Sequence, residues 1–210
     1  MSIMELENIS FSYDNTKVIE NINYTFEKEK VYAITGKSGA GKTTLLSLLS
    51  GLATPTEGRI LFNNKDIKNM DKYEYRSKWV GVIFQSYNLI TTLTAIENVT
   101  LSMDISGIKK PDNKAYAMGL LTQVGLTEAE ANRRVLKLSG GQQQRVAIAR
   151  SLSYNPNIIL ADEPTGNLDM DTQDEIMSLF KDLASQGKCI IIVTHSPKVA
   201  ELSDKVFALN

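Results

Sequence analysis

The sequence predicts a mixed α/β fold built on a buried, mainly parallel sheet. Three observations carry this. NIILAD (157–162) and KCIIIVTH (188–195) are near-continuous apolar runs, as expected of strands covered on both faces. Such strands alternate with helical segments, the order typical of parallel sheets. A further apolar strand, VYAIT (31–35), runs straight into a glycine loop that opens a helix, GKSGAGKTT (36–44).

The elements follow in order. ELENISFSY (5–13) and VIENINYTF (18–26) partly alternate polar with apolar residues around a turn-like DNT (14–16), predicting two strands. After the glycine loop, TTLLSLLSGL (43–52) has helical spacing and a stop at Gly51. GRILFNN (58–64) and WVGVIF (79–84) read as strands, with DKYEYRSK (71–78) a short helix between them. From Ser86 to about Pro156 strand signals vanish. LTAIENVTLSM (93–103), NKAYAMGLLTQVG (113–125) and SGGQQQRVAIARSLS (139–153) all favour helix. Helical DTQDEIMSLFKDLASQG (171–187) then separates the two apolar strands, and KVFALN (205–210) closes the chain as a strand. The organisation is one domain over 1–210, with a core from 1–85 and 156–210 and a helical insertion over 86–155. No internal repeat or low-complexity segment interrupts it.

Composition narrows the function classes. Hydrophobic content of 42 % and charged content of 22 % are ordinary for a globular protein. The net charge of −1 leaves no basic footprint, so nucleic acid is not an expected partner. Cys189 is the single cysteine and sits in the apolar run CIIIV, which suits a small buried hydrophobe. No basic, apolar leader opens the chain, and no run approaches the ~20 apolar residues of a membrane span. The expectation is a soluble, cytoplasmic chain.

The chemistry concentrates in four places. Gly36-x4-Gly41-Lys42-Thr43 fits the P-loop pattern after a strand and before a helix. Gly36, Gly39 and Gly41 let the backbone curve tightly and aim N–H groups at phosphate oxygens. Lys42 supplies a point charge and Thr43 a hydroxyl for Mg²⁺. The strand IILADE (158–163) ends in Asp162, placed to hold Mg²⁺, and Glu163, placed to take a proton from an attacking water. His195, the only histidine, and Gln85 both follow apolar strands, at the edge where such sheets bind ligands. Finally, LKLSGGQQQR (136–145) places Ser139 as an N-cap before two glycines, a second anion-reading helix start. Simple capping does not account for two consecutive glycines unless close backbone approach is wanted.

GKSGAGKT, Gln85, LSGGQ (138–142), ILADE and His195, in this order, closely resemble the nucleotide-binding subunit of ATP-binding cassette (ABC) transporters, essentially from end to end. LSGGQ is peculiar to ABC ATPases among P-loop proteins. The resemblance implies a P-loop NTPase fold of the ABC ATPase type: a mainly parallel central sheet, an N-terminal antiparallel β-subdomain and a helical insertion subdomain. It implies ATP as ligand with Mg²⁺. Residues Gly36, Lys37, Ser38, Gly39, Ala40, Gly41, Lys42, Thr43 and Thr44 then bind the phosphates, and Tyr13 stacks on adenine, although a strand-face tyrosine is the plainer reading of that residue. Glu163, His195, Lys42 and Gln85 act in hydrolysis, and Thr43, Gln85 and Asp162 surround the metal. Ser139, Gly140, Gly141 and Gln142 act on the ATP of a second copy, and Asp169 contacts that copy. In the family two copies pair head to tail when ATP is bound.

Within the family, FQSYNLITTLTAIENV (84–99) and ILADEPTGNLD look most like the group serving macrolide efflux, lipoprotein release and antimicrobial-peptide or bacteriocin export. The resemblance implies a separate membrane permease docked by the insertion, with this chain peripheral on the inner face of the membrane. Phe84, Tyr87, Leu89, Ile90 and Leu93 are either that contact or ordinary core. Two positions depart from the group: Val135 and Leu136 stand where proline is common before the signature, and EKEK (27–30) replaces a glycine turn. The alternative, a non-transport ABC ATPase of DNA repair or chromosome maintenance, requires long coiled coils, and no sustained heptads lie between Gln85 and Ser139. A lone P-loop kinase or GTPase leaves LSGGQ without a role.

Overall fold

A computed structural model describes residues 1–14 and 16–209. Strands β1 (Ser2–Tyr13) and β2 (Thr16–Glu27) pair antiparallel, and Asn15 of the expected DNT turn lies outside the described residues. Strand β3 (Lys30–Thr35) leads through the glycine loop into α1 (Lys42–Leu49). Strands β4 (Glu57–Phe62) and β5 (Lys65–Asp66) form a hairpin, and α2 (Lys72–Glu74) passes through a π-helical turn at Tyr75–Trp79 into β6 (Val80–Ile83). The insertion supplies α3 (Ala95–Ile105), α4 (Asn113–Gln123), α5 (Glu128–Ala131) and α6 (Gly140–Leu152). Then come β7 (Ile158–Asp162), α7 (Met170–Ser185), β8 (Cys189–Val193), α8 (Pro197–Leu202) and β9 (Lys205–Ala208).

Two sheets result. One is antiparallel in the order β2-β1-β4-β5, and the other is parallel throughout in the order β6-β7-β8-β3-β9. Alternation of side chains along the parallel strands divides the core in two. Ile159, Ala161, Ile190 and Ile192 face α7 and the insertion, packing with Phe180, Val146 and Val99. Ile158, Leu160, Cys189, Ile191 and Ile34 face α1 and the antiparallel sheet, packing with Leu45, Leu48 and Phe26. Both faces are dry, which is why these strands read as unbroken apolar runs. Cys189 is fully buried, and burial pushes its thiol well above the usual range.

Several local expectations shift. The segment GRILFNN is not one strand: Asn63 and Asn64 take φ 47° and 62° and turn the chain into β5. Asparagine tolerates that left-handed conformation better than most residues. The strand expected over WVGVIF is confined to Val80–Ile83, because Trp79 ends the π-helical turn. Helix α8 is not anticipated above, although Ser196 caps it and Pro197 stands at its first turn. At EKEK the turn is made without glycine, and Glu29 takes φ 62°, a conformation costing roughly 1 kcal/mol for a residue with a side chain. Val135, where proline is common, is buried in a 3₁₀ turn, whereas Leu136 points to solvent.

Candidate active site

Register brings the site together. Asp162 of β7 pairs with Val193 of β8, and Val193 pairs with Ile34 of β3, so three adjacent strands end level. On the other side, Ile83 of β6 pairs with Ala161. The residues just past each strand therefore emerge on one edge: Gln85, Glu163, His195 and the glycine loop. A cleft there is lined by Val18, Ser38, Gly39, Gly41, Lys42, Thr43, Thr44, Gln85, Asp162, Glu163, Val193 and His195.

The glycine loop is fitted into its surroundings. Gly41 is the N-cap of α1 at φ 87°, and a Cβ there would lie 3.0 Å from the Val18 carbonyl and side chain. A Cβ on Gly36 would lie 2.6 Å from the carbonyl of Leu209. Lys42 folds back on the loop, donating from Nζ to the carbonyls of Gly36 at 2.9 Å and Lys37 at 3.0 Å. An ammonium has three donors, so at least one stays available, and an incoming phosphate competes for the other two with a full negative charge.

Glu163 follows β7 with φ 46°, a strained conformation for a residue with a long side chain. Its backbone N–H donates to Val193 O at 2.9 Å. The carboxylate is held at both oxygens: Thr194 Oγ1 donates to Oε2 at 3.1 Å, and His195 Nδ1 meets Oε1 at 2.7 Å. A carboxylate only accepts, so Nδ1 carries the proton and Nε2 is turned outward. The Glu163 side chain is 13 % exposed and that of His195 72 %. A shielded carboxylate held by an imidazole suits taking a proton from a water that enters from solvent.

Asp162 Oδ2 lies 3.4 Å from Thr43 Oγ1. Neighbouring oxygens on an octahedral Mg²⁺ stand about 3 Å apart, so this pair fits one shared ion. Burial pushes the Asp162 carboxyl above its ordinary value, the Thr43 bond opposes that, Glu163 adds to it and Lys42 opposes it. Ionised Asp162 thus weakens the nucleotide-free fold above the usual carboxylate range, and the penalty is relieved as pH falls through its raised pKa. Asp162→Asn is expected to raise the melting temperature at pH 7 without nucleotide by at most about 3 °C, the half-exposed position limiting the gain. The difference should close near pH 4, while Mg²⁺-dependent turnover is lost. Calorimetry at both pH values checks this, and a variant melting below wild type at pH 7 would show that the Thr43 bond outweighs desolvation.

The second helix start has the expected cap. Ser139 Oγ accepts from Gln142 N at 3.2 Å, and Gln142 Oε1 accepts from Ser139 N at 2.9 Å. Gln143 N bonds to Ser139 O, which leaves Gly140 N and Gly141 N without a protein acceptor among the described residues. The Ser139 hydroxyl proton is likewise free to donate. Gln142 Nε2 donates to Glu130 Oε1 at 2.7 Å, and the other oxygen of Glu130 takes the cap of α5. Residues 139–142 do not line the cleft of their own chain.

Other candidates are placed as follows. Tyr13, 55 % exposed at the end of β1, stacks edge-on with Phe11 and does not line the cleft, whereas Val18 does. Asp169 is exposed and caps α7, accepting from Thr172 N at 2.9 Å and Thr172 Oγ1 at 2.7 Å, and these bonds hold its carboxyl below the ordinary value. Past Gln85, Tyr87 and Asn88 take φ 59° and 51°, with their carbonyls held by the Arg150 guanidinium. Tyr87 and Leu89 pack against the core, while Ile90 remains exposed. Val18, Thr194, Arg150 and Thr172 are not singled out in the sequence. Val18, Thr194 and Arg150 act through partners distant along the chain, which no local motif marks, whereas Thr172 bonds to Asp169 within the cap of α7.

Known proteins resemble this chain in sequence and fold. The ABC transporter family profile matches residues 19–166. YclH of Bacillus subtilis, an uncharacterized ABC transporter ATP-binding protein, is 45 % identical over 207 residues, covering 97 % of this chain and 92 % of that protein. The dimeric structure of MJ0796, a bacterial ABC transporter cassette, superposes with a TM-score of 0.89 at 37 % identity, covering 99 % of this chain and 94 % of the other. A dimeric post-hydrolysis state of MJ0796 bound to ADP and Pi gives 0.89 at 36 % identity, with the same coverage. Matched over most of its length in both sequence and fold, and carrying the phosphate loop and LSGGQ helix start on one cassette, this chain belongs to the ABC transporter family as an ATP-binding subunit.

Proposed function

We propose that the chain is the ATP-hydrolysing subunit of an export-type transporter, working as two copies that pair head to tail across two ATPs. One observation carries this reading. The cleft holds a phosphate loop, a carboxylate–imidazole pair and a metal-compatible oxygen pair, yet the free N–H groups of Gly140 and Gly141 lie outside its lining. A second copy brings them to the nucleotide. The dimeric MJ0796 cassettes, one of them holding ADP and Pi, support the same arrangement here.

ATP phosphates take the N–H groups of residues 36–44 and the ammonium of Lys42, while Tyr13 covers the adenine. Thr43, Asp162 and Gln85 would hold Mg²⁺, which would neutralise phosphate charge when bound. Glu163 draws the proton from a water as that water's oxygen attacks the γ-phosphorus and the bond to ADP breaks. His195 keeps the carboxylate oriented through Nδ1. From the partner copy, Ser139, Gly140, Gly141 and Gln142 close on the γ-phosphate, and Asp169 sits near the partner's phosphate loop. Loss of the bridging phosphate releases the pair, so ATP and ADP select different states. No helix among the described residues is long and apolar enough to cross a membrane, which fits a subunit peripheral on its inner face beside a separate permease. The cargo class is a peptide, lipoprotein or hydrophobic drug, on the resemblance of segments 84–99 and 159–169.

Ser139→Arg tests the trans assignment. The expected result is ATP binding by the single subunit at wild-type affinity, with ATP-dependent pairing lost on size-exclusion chromatography. Loss of ATP binding by the monomer would place this loop in the cleft of its own chain and sink the proposal.

A further inference from the structure

The two glycines of LSGGQ answer to different neighbours. A Cβ on Gly140 would meet Tyr87 Oη at 3.4 Å and Leu168 at 3.8 Å, which is ordinary contact. A Cβ on Gly141 would lie 2.8 Å from Thr172 Cγ2, closer than packed atoms approach. Within a helix alanine is favoured over glycine by about 1 kcal/mol, so glycine at 141 stands against propensity and the Thr172 methyl explains it. Nothing among the described residues demands glycine at 140.

Thr172 itself is held. Its hydroxyl donates to Asp169 Oδ2 at 2.7 Å and its N–H to Oδ1 at 2.9 Å. A β-branched side chain with its hydroxyl so engaged has its methyl direction set as well. One turn further along both helices, the Arg145 guanidinium bonds to Glu175, keeping α6 and α7 in line. We propose that Thr172 is a positioning residue: anchored by Asp169, its methyl keys into the notch at Gly141 and fixes the LSGGQ helix start relative to Asp169. Resting on the reading that both elements meet the second copy, this makes them a single rigid edge. Their alignment is completed during folding instead of being charged to association.

The test uses the full chain in a Glu163→Gln background, with ATP-dependent dimerisation followed by sedimentation equilibrium and nucleotide-free melting followed in parallel. Gly141→Ala is expected to weaken the dimer on the order of tenfold, and adding Thr172→Ser, which removes the offending methyl, to recover most of that loss. Thr172→Ser alone should weaken the dimer several-fold, with ATP binding by the separate monomer as reference. Gly140→Ala should not be rescued by Thr172→Ser. The melting temperatures of Gly141→Ala, Thr172→Ser and the double variant should be non-additive in the same sense. No recovery of dimer affinity in the Gly141→Ala/Thr172→Ser double variant, or equal rescue of Gly140→Ala, overturns the proposal. If the Glu163→Gln parent fails to pair with ATP, the two-copy reading falls, and the melting cycle still decides the contact: additive melting temperatures overturn the keying.

Discussion

Glu163→Gln is expected to bind ATP, fail to hydrolyse it and accumulate as an ATP-bound dimer. The side chain stays the same size, so the strained backbone at φ 46° and the contact with Thr194 are retained. An amide oxygen still accepts from Thr194 Oγ1, and its NH₂ meets His195 once the neutral imidazole changes tautomer. What disappears is the basic oxygen. General-base catalysis contributes roughly 10²- to 10⁴-fold, and the rate should fall within that range. Removing a negative charge beside the γ-phosphate also lowers repulsion, so ATP is held at least as tightly as before. Phosphate release at saturating ATP and size-exclusion chromatography with and without ATP check both halves. Hydrolysis at the wild-type rate would show that another group takes the proton.

Lys42→Ala should abolish useful nucleotide affinity while leaving the fold nearly intact. In the nucleotide-free state the ammonium holds only two carbonyls of its own loop, Gly36 and Lys37. Its loss there is a modest, solvent-compensated change of about 1 kcal/mol. Against a triphosphate the same ammonium forms charge-assisted bonds worth about 3 kcal/mol, so ATP affinity should drop roughly 100-fold. Titration calorimetry reads this directly. Thermal shift gives an independent check: ligand at about 100 times its Kd stabilises by ~2.7 kcal/mol, and the variant should show almost none of that at the same ATP concentration. A variant that melts far below wild type without nucleotide would mean that Lys42 anchors the loop more than it serves the ligand.

Much of the candidate site is legible along the chain because helix starts are built from neighbouring residues. Residues 36–44 and 139–142 each gather their donors within a few positions, on a loop that opens a helix, and such segments fold similarly wherever they occur. Asp162 and Glu163 announce themselves as acids ending a dry strand. Thr194 is different: it reaches Glu163 across 31 residues and looks like any strand-end threonine. Val18 presses on Gly41 from a different sheet, and Arg150 holds the Tyr87 and Asn88 carbonyls from a helix more than 60 positions away. Tyr13, placed on the nucleotide by resemblance alone, lies at the end of β1, beside the lining of the phosphate cleft rather than in it.

By itself the sequence determined the alternation of apolar strands and helices, the glycine-opened start of α1, the Ser139-capped start of α6 and the acids at the end of β7. Backbone periodicity and short-range capping are encoded within a few residues and survive any packing arrangement. Only the tertiary structure decided that Asp162, Val193 and Ile34 end level, that the LSGGQ start lies outside its own cleft, and that a Cβ on Gly141 would run into the Thr172 methyl. Strand register and the meeting of α6 with α7 are set by how two dry faces of one sheet are filled, a property of volumes from the whole chain that no local pattern carries.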